Sequence, residues 1–376
     1  MRRALAGINL AAIERNVAHL RRDLSPGTEF CAVVKAGGYG HGAVPTARAA
    51  LAGGASWLAV ATAEEALALR EGAVQGPVLV MGALGEEELE IALAARGDLV
   101  AWSEPFVDRL LARVPDEGSV AVHVKLDSGM GRLGTRDRIE ALAVAERVSA
   151  ATPRLRLAGA MTHFATADDD LEFVAAQLEA FAPFASELRR LSPDIVVHAA
   201  NSAATMRAPQ THFDLVRCGI AIYGCDPMQA DPEPYGLEPA LELTSYVAAL
   251  KRAQPGDSAG YGRRFVAERE TWLATVPIGY GDGFRRLLTN NCDVLIGGSR
   301  YPLVGTVSMD NITVDVGGPD AVRIGERATL IGRDGAERQT AEDLARRLGT
   351  INYEVVSGIS ARVPRVYHRD GVPCEP

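Results

Sequence analysis

The sequence predicts an α/β protein in which an N-terminal (β/α)₈ barrel of the TIM type is followed by a mostly β C-terminal domain. The chain has 376 residues, which is too long for one ordinary domain and suggests about two. In its first part, apolar runs alternate with helical patterns, as in a parallel sheet covered by helices. In its second part, closely spaced strand patterns predominate. We therefore predict a barrel domain over residues 1–228 and a β-rich domain over residues 229–376.

The barrel prediction depends on eight short apolar runs in the first domain. Helical patterns such as Ala63–Glu71 and Leu171–Leu191 lie between most of them. Eight repeats over roughly 220 residues fit a closed barrel better than an open doubly wound sheet, since such barrels typically have about 250 residues. The candidate strands are Phe30–Val34, Trp57–Ala61, Val78–Met81, Leu99–Trp102, Val120–Leu126, Leu157–His163, Ile195–Ala200 and Leu215–Tyr223.

The second domain follows a linker between Cys225 and Ala240 that is rich in proline and acidic residues. Beyond the linker, turn residues separate short β-rich runs, and one short helix is predicted at Ala341–Leu348. This pattern indicates an all-β domain. The runs are Leu241–Leu250, Trp272–Val276, Asp293–Ile296, Tyr301–Ser308, Ile312–Val316 and Ala328–Ile331.

The composition argues against several classes of partner. The net charge is −9 and no basic run is longer than Arg-Arg, so we expect neither nucleic acid nor an anionic membrane as a partner. No apolar run reaches the roughly 18 residues of a membrane span, and the N-terminal segment lacks the apolar core of a signal peptide. The five cysteines have no metal-like spacing and read as free thiols. We therefore expect a cytoplasmic protein without a metal site.

Residues with useful chemistry fall at the carboxyl ends of the predicted strands, where barrel enzymes place their functional groups. Lys35 follows the first strand, in a glycine-rich stretch that reads AVVKAGGYGHG over residues 32–42. This lysine could extend its ammonium into water. It could also be held in a partly dry site with a lowered pKa, ready to form a Schiff base. The other residues in or near strand ends are Lys125, Arg132, His163, Asn201, Ser202 and Arg217.

The stretch around Lys35 resembles the lysine motif of the alanine racemases, A-V-V-K-A-N-A-Y-G-H-G. The resemblance implies that Lys35 carries pyridoxal 5'-phosphate and that Tyr39 contacts the phosphate of this cofactor. The sequence departs from the motif at Gly37 and Gly38, which replace Asn and Ala. These glycines loosen the loop without removing a reacting group.

The segment after the fifth strand reads KLDSGMGRLG over residues 125–134. It could be a glycine-rich turn with solvated charges, but it resembles the family motif K-x-D-[ST]-G-M-G-R-x-G at every fixed position. The resemblance implies that Arg132 reaches the phenolic oxygen of the cofactor and the carboxylate of the substrate, for which a planar guanidinium is well suited. It also implies a possible carbamate on Lys125, an anion that would position Arg132.

The last two barrel strands offer further cofactor contacts. Asn201 and Ser202 begin a short helical segment, which could be an ordinary N-cap or a phosphate site. Arg217 interrupts an apolar strand, and a buried arginine needs a strong acceptor. By the resemblance, Arg217 hydrogen-bonds the pyridine nitrogen of the cofactor, and the backbone of Gly219 and Ile220 holds the phosphate.

Four segments of the second domain match the same family in order. The sequence Gly260-Tyr261-Gly262-Arg263 places a tyrosine between glycines, which taken alone is more often a turn than a catalytic element. Residues 277–283, PIGYGDG, match P-I-G-Y-A-D-G with Gly281 in place of Ala, and residues 305–310, GTVSMD, match G-x-[IV]-[CS]-M-D. Residues 351–354, INYE, complete the set. By the resemblance, these motifs contribute Tyr261 to catalysis, Tyr280, Met309 and Asp310 to the substrate pocket, and Tyr353 to the surroundings of the phosphate.

The resemblance implies an enzyme that interconverts L-alanine and D-alanine and supplies D-alanine for peptidoglycan. Lys35 and Tyr261 would act as acid and base on opposite faces of the substrate. A phenol with a pKa near 10 is a poor base at neutral pH, so Tyr261 needs a tuned environment. The cations Arg132 and Arg217 could supply it, together with His163, which matches the histidine behind the catalytic tyrosine and could otherwise be an ordinary core histidine. In the family the lysine and the tyrosine meet across a head-to-tail homodimer, which implies two shared sites.

Two other functions stay open at this point. An amino-acid decarboxylase with a pyridoxal phosphate barrel would also combine a barrel with a β domain, but it needs a cysteine–aspartate acid motif. Cys292 and Asp293 are adjacent but lie in a predicted strand without the surrounding pattern of that family. A non-catalytic pyridoxal phosphate-binding protein would be a barrel alone. The sequence does not decide between alanine and other small amino acids such as serine, or between a biosynthetic and a catabolic role.

Overall fold

The computed structural model describes residues 2–375 and divides them into two compact units. The barrel unit comprises residues 13–39 and 43–222, and the sheet unit comprises residues 2–12, 40–42 and 223–375. The first strand, β1 (Leu5–Asn9), belongs to the sheet unit and is followed by helix α1 (Leu10–Arg22). Strand β1 thus lies in the range that the sequence predicts for the barrel. The domain boundaries 1–228 and 229–376 stay a prediction.

The barrel unit contains eight parallel strands, and each overlaps one of the eight predicted apolar runs. They are β2 (Glu29–Val33), β3 (Trp57–Val60), β4 (Val78–Val80), β5 (Asp98–Ala101), β6 (Val120–Lys125), β7 (Leu155–Met161), β8 (Val196–His198) and β9 (Leu215–Cys218). Their order in the sheet is β8-β7-β6-β5-β4-β3-β2-β9, so the sheet is a nearly closed barrel. The predicted (β/α)₈ class is confirmed.

Helical segments connect the barrel strands. They are α2 (Lys35–Tyr39), α3 (Ala43–Ala52), α4 (Ala63–Glu71), α5 (Glu86–Ala94), α6 (Glu104–Leu111), α7 (Arg138–Ala150), α8 (Leu171–Leu191) and α9 (Ser202–Arg207), with 3₁₀ turns at Pro209–Thr211 and Ile220–Tyr223. The strands are buried along almost their whole length. This agrees with parallel strands whose two faces are both covered, and it explains why their sequences read as continuous apolar runs.

The sheet unit is mostly β, as predicted. Its strands are β1, β10 (Leu241–Tyr246), β11 (Ala249–Ala253), β12 (Ser258–Ala259), β13 (Phe265–Val266), β14 (Thr271–Val276), β15 (Asp293–Ile296), β16 (Ser299–Val304), β17 (Ile312–Asp315), β18 (Arg327–Asp334), β19 (Glu337–Gln339), β20 (Arg365–Arg369) and β21 (Val372–Pro373). Eleven of them form one sheet in the order β11-β14-β17-β16-β15-β18-β10-β1-β20-β21, with β19 beside β18. Strands β12 and β13 form a separate pair.

The sheet unit contains two helices, α10 (Ala341–Leu348) and α11 (Asn352–Ser357), of which only the first was predicted. Short 3₁₀ turns lie at Glu233–Tyr235, Tyr261–Arg263, Tyr280–Asp282 and Arg286–Leu288. Strand β1 pairs antiparallel with β10 and parallel with β20. No helix within residues 2–375 has both the length and the apolar composition needed to cross a bilayer.

Candidate active site

Lys35 begins a left-handed turn just after strand β2. The four residues that follow it all have positive φ: 52° at Ala36, 61° at Gly37, 64° at Gly38 and 50° at Tyr39. This conformation costs an L-residue roughly 1–2 kcal/mol, whereas glycine adopts it freely. Gly37 and Gly38 therefore relieve the strain at the two central positions of the turn.

The carboxylate of Glu65 ties this turn to the next strand–helix loop. It accepts hydrogen bonds from the backbone N–H of Ala36 at 2.5 Å and of Ala61 at 2.8 Å. Glu65 is also the third residue of helix α4, where it forms a capping box with Thr62. The sequence analysis missed Glu65, although the T-x-x-E pattern at residues 62–65 is a recognisable signal for a helix start.

Three cationic side chains of the barrel unit have no acceptor among the residues that the structure describes: Lys35, Lys125 and Arg132. Within residues 2–375, none of them donates a hydrogen bond or forms an ion pair through its side chain. Burial lowers the pKa of Lys35, and the nearby charge of Arg132 lowers it further. Burial, followed by the charges of Arg217 and Arg132, lowers the pKa of Lys125 to about 8. An anion among these groups would offset their mutual repulsion.

Arg217 on strand β9 is buried, and the groups that accept its hydrogen bonds within residues 2–375 are neutral. Its Nη1 lies 2.8 Å from Nδ1 of His198. Its Nη2 donates to the carbonyl oxygens of Thr162 at 2.8 Å and Ala199 at 3.1 Å, and lies 3.1 Å from Nδ1 of His163. Because a guanidinium only donates, both imidazoles accept through Nδ1. Burial lowers the pKa of Arg217 to about 10, so the side chain stays charged at neutral pH.

His163 is neutral in this environment. Burial, together with the charge of Arg217, holds the pKa of His163 well below its usual range. Since Nδ1 of His163 accepts from Arg217, the single proton of the neutral ring lies on Nε2. The ring can therefore donate one hydrogen bond on the side away from Arg217.

Hydroxyl groups and backbone N–H groups gather at the ends of strands β8 and β9. Asn201 caps helix α9, and the hydroxyl oxygen of Ser202 accepts from the N–H of Gly219 at 2.9 Å. A Cβ atom on Gly219 would lie 2.4 Å from the hydroxyl oxygen of Tyr39, so only glycine lets the phenol approach this backbone. The structure thus brings the predicted phosphate contacts Asn201, Ser202, Gly219 and Tyr39 to one end of the barrel strands, next to Ile220.

Three of the predicted substrate residues meet in the sheet unit. The N–H of Tyr280 donates to the carbonyl of Ser308, and the N–H of Gly281 donates to the carbonyl of Met309, both at 3.0 Å. The next residue, Asp310, accepts from Arg362 at 2.7 Å. Met309 is 50% exposed and Tyr280 is 41% exposed, so both side chains are available to a ligand or a partner.

Tyr261 and Tyr353 also lie in the sheet unit, so the structure places them in a different unit from Lys35. Tyr261 begins a 3₁₀ turn, and its backbone carbonyl accepts from the hydroxyl of Thr306 at 2.6 Å. Its side chain is 72% exposed. Tyr353 lies in helix α11.

A buried carboxylate that the sequence analysis missed supports the substrate residues. Asp282 is 1% exposed and accepts from Arg3 and from the N–H of Gly279 at 2.9 Å. It thereby fixes the turn that carries Tyr280. A signal was available, since Asp282 is a fixed position of the PIGYGDG segment.

Together, the fold and the cationic cluster are those of a barrel enzyme, whose functional groups lie at the carboxyl ends of its strands. The family model of the alanine racemase N-terminal domain matches residues 8–227, and that of the C-terminal domain matches residues 240–367. The chain belongs to the alanine racemase family.

Individual relatives agree with this assignment. The chain is 41% identical over 369 residues to the alanine racemase of Geobacillus kaustophilus, covering 96% of this chain and 94% of the relative. It is 43% identical over 370 residues to the alanine racemase of Thermobifida fusca, covering 97% and 98% of the two chains. The crystal structure of the alanine racemase of Bacillus anthracis with bound L-Ala-P superposes with a TM-score of 0.92 at 39% identity, covering 100% of this chain and 97% of that one. The racemase prediction is confirmed, and the decarboxylase and non-catalytic alternatives are not supported.

Proposed function

We propose that the protein interconverts L-alanine and D-alanine with pyridoxal 5'-phosphate held in the barrel unit. The observation that carries this proposal is the cluster of Lys35, Lys125 and Arg132, whose charges have no protein acceptor within residues 2–375. When bound, pyridoxal phosphate withdraws electrons from the substrate and makes the Cα proton removable. The chain must then hold the cofactor, orient the amino acid and move that proton.

The residues of the barrel unit fit this cofactor. The lowered pKa of Lys35 favours the neutral amine that a Schiff base requires. Tyr39 and Ser202 supply hydroxyl donors that suit a phosphate. The N–H of Gly219 holds the oxygen of Ser202 as its acceptor, which leaves the hydroxyl proton of Ser202 for the phosphate, and the backbone at Gly219 is proposed to lie beside it. Asn201 and Ile220 flank these donors, and Tyr353 is proposed to complete the phosphate surroundings. Arg217 would donate to the pyridine nitrogen, and Arg132 to the phenolic oxygen and the substrate carboxylate.

Lys35 and Tyr261 are the proposed acid and base on the two faces of Cα. A positioned acid or base of this kind typically accelerates proton transfer 10²- to 10⁴-fold. His163, with its proton on Nε2, is proposed to donate to the phenolic oxygen of Tyr261 and so to orient the phenol. Tyr280, Met309 and Asp310 would enclose the small side chain and the carboxylate of alanine.

We propose that the active form is a homodimer with shared sites. Large apolar side chains are exposed in the sheet unit, among them Tyr261 at 72%, Leu287 at 74% and Met309 at 50%. Exposed side chains of this size mark an interface where they form one contiguous patch. The shared site would combine the Lys35 of one subunit with the Tyr261 of the other.

Lys125 is the proposed site of a carbamate. With a pKa of about 8, roughly one tenth of this amine is neutral at pH 7 and can react with carbon dioxide. The resulting anion would remove one of the repelling charges beside Arg132. It would also provide the acceptor that Arg132 lacks within residues 2–375.

The proposed cellular role is the supply of D-alanine for peptidoglycan in the cytoplasm. The five cysteines are all free thiols, which suits a reducing compartment. Growth of a D-alanine-requiring bacterium that expresses this chain would support the supply of D-alanine, whereas continued dependence on added D-alanine would contradict it.

Product analysis and chemical trapping test the function directly. Incubation with L-alanine should give an equal mixture of L-alanine and D-alanine on a chiral column, without release of carbon dioxide. The chain has three lysines, Lys35, Lys125 and Lys251, so borohydride reduction and peptide mapping can distinguish every candidate. We expect the pyridoxyl group on Lys35. A label on Lys125, or none on any lysine, would contradict the assignment.

A further inference from the structure

A line of polar side chains crosses the buried interior of the barrel and ends at Arg217. His198 Nδ1 lies 2.8 Å from Arg217 Nη1, and His198 Nε2 lies 2.8 Å from His123 Nδ1. His123 Nε2 in turn lies 3.5 Å from Oδ2 of Asp98, the first residue of strand β5. Both imidazoles are fully buried, and the Asp98 side chain is 18% exposed. The line therefore joins the guanidinium to a carboxylate at the amino end of the strands.

The geometry allows one protonation pattern along the whole line. Arg217 can only donate, so Nδ1 of His198 accepts and its proton lies on Nε2. That proton is donated to Nδ1 of His123, which leaves the proton of His123 on Nε2. This atom lies 3.5 Å from Oδ2 of Asp98 and makes no hydrogen bond within residues 2–375, so the carboxylate acts on it through its charge. Burial and the charge of Arg217 keep the pKa of His198 well below its usual range, which agrees with a neutral ring. Both contacts of His198 are therefore satisfied together only when the two rings carry their protons on Nε2.

The strands around His123 leave room for its ring. Strands β6 and β7 shift register between Val122 and His123, so that Gly159 lies opposite His123. A Cβ atom on Gly159 would lie 2.1 Å from Nδ1 of His123 and could not be accommodated. The ring of Trp57 packs edge-on against the imidazole, with centroids 5.8 Å apart. An apolar residue at position 123 would avoid the desolvation of an imidazole.

We propose that His123 and Asp98 are positioning residues that act on Arg217 through His198. With His198 in the Nε2–H tautomer, an acceptor faces Nη1 and fixes the plane of the guanidinium. In the other tautomer, His198 would present an N–H to Arg217, and the guanidinium would have to turn away. The proposal rests on the proposed function, in which Arg217 contacts the pyridine nitrogen, and it adds two residues that the reaction uses only indirectly.

The tautomers can be read by ¹⁵N NMR of the full-length, cofactor-loaded protein labelled at histidine. In the wild type we expect His198 and His123 each to carry a single proton on Nε2. His123→Leu removes the acceptor of the Nε2 proton and leaves the contact with Arg217 to hold the ring alone. We therefore expect a second tautomer of His198 to be populated beside Nε2–H. In the same variant kcat for alanine should fall about tenfold to a hundredfold, as expected for a misplaced catalytic contact, while KM changes much less.

His123→Asn is the matched control. Its side-chain oxygen lies near the place of Nδ1, so His198 should keep the Nε2–H tautomer and kcat should stay within about threefold of the wild type. Asp98→Ala gives a second test at a more exposed position, where His123 should lose its preference for Nε2–H and kcat should fall. This variant remains informative if His123→Leu does not fold.

The proposal is overturned if His198 keeps one tautomer in His123→Leu or, where His123→Leu does not fold, if His123 keeps its preference for Nε2–H in Asp98→Ala. It is also overturned if kcat falls equally in His123→Leu and His123→Asn, because a loss of packing would then explain both results. The NMR pattern does not depend on turnover. A wild type with the expected tautomers that does not racemise alanine would count against the proposed function, not against the role of His123 and Asp98.

Discussion

The pKa of Lys125 predicts a pH dependence of stability that can be measured in the cofactor-free chain. The pKa falls from 10.5 to about 8 on folding, a difference of 2.5 units, which corresponds to about 3 kcal/mol. Between these two values the unfolded chain binds the proton and the folded chain does not. The free energy of unfolding therefore rises as the pH rises from 8 to 10.5. The same gain is lost when the pH falls back through this window to below 8. From pH 7 to pH 9.5 the expected gain is about 2 kcal/mol.

The assay compares wild type and Lys125→Met by urea unfolding at pH 7 and pH 9.5, in buffer free of carbon dioxide. The difference between the two proteins cancels the titration of all other groups. We expect this difference to change by about 2 kcal/mol, with the wild type gaining stability relative to the variant at pH 9.5. Lys251→Met, at an exposed position, is the control for removing a lysine. If the difference between wild type and Lys125→Met is the same at both pH values, Lys125 is not desolvated and the basis for its carbamate is lost.

Three further predictions concern the site itself. Arg217→Glu should slow racemisation roughly a hundredfold, because it removes a buried donor, and should increase the release of pyruvate by transamination; normal racemisation without pyruvate would contradict the role of Arg217. Lys35→Ala and Tyr261→Phe should each be inactive. Unfolding and refolding the two variants together should restore roughly a quarter of wild-type activity, because each mixed dimer has one intact shared site. A mixture that stays inactive although mixed dimers form would exclude shared sites. Gly37→Ala should lower the free energy of unfolding by about 1 kcal/mol through left-handed strain alone, since no atom lies within 4 Å of its added Cβ. The control Gly27→Ala should lose about the same stability, because Gly27 also has a positive φ and open space around its added Cβ. If Gly37→Ala is more stable than the wild type while Gly27→Ala is less stable, the left-handed turn at Gly37 is wrong.

The barrel could be predicted from the sequence because its strands carry a local signal. A parallel strand covered on both faces reads as an apolar run, and the helices between the strands have their own periodicity. Strand β1 has no comparable signal. Its residues Leu5–Asn9 are few, and its partners β10 and β20 lie more than 200 residues away in the chain. Only the folded sheet shows that this segment belongs to the sheet unit.

The candidate site could be predicted only in part, for a related reason. Lys35, Arg132 and Arg217 stand out because a charge at the end of an apolar run needs an explanation. His123 and His198 also interrupt apolar strands, but a single buried histidine is ambiguous. Their common role depends on the register of strands β6 to β9, which places two rings and a guanidinium within hydrogen-bonding distance.

This arrangement explains how Arg217 stays charged in a barrel interior without a carboxylate in contact with it. Carbonyl oxygens and imidazole nitrogens accept its hydrogen bonds. The carboxylate of Asp98 is separated from the guanidinium by the rings of His198 and His123. A directly paired carboxylate would satisfy the guanidinium fully and draw its donors away from a ligand. Neutral acceptors hold the plane of the group and leave its charge available. A barrel core is normally filled by branched apolar side chains, so polar residues that interrupt several neighbouring strands are themselves a sequence signal for such a line.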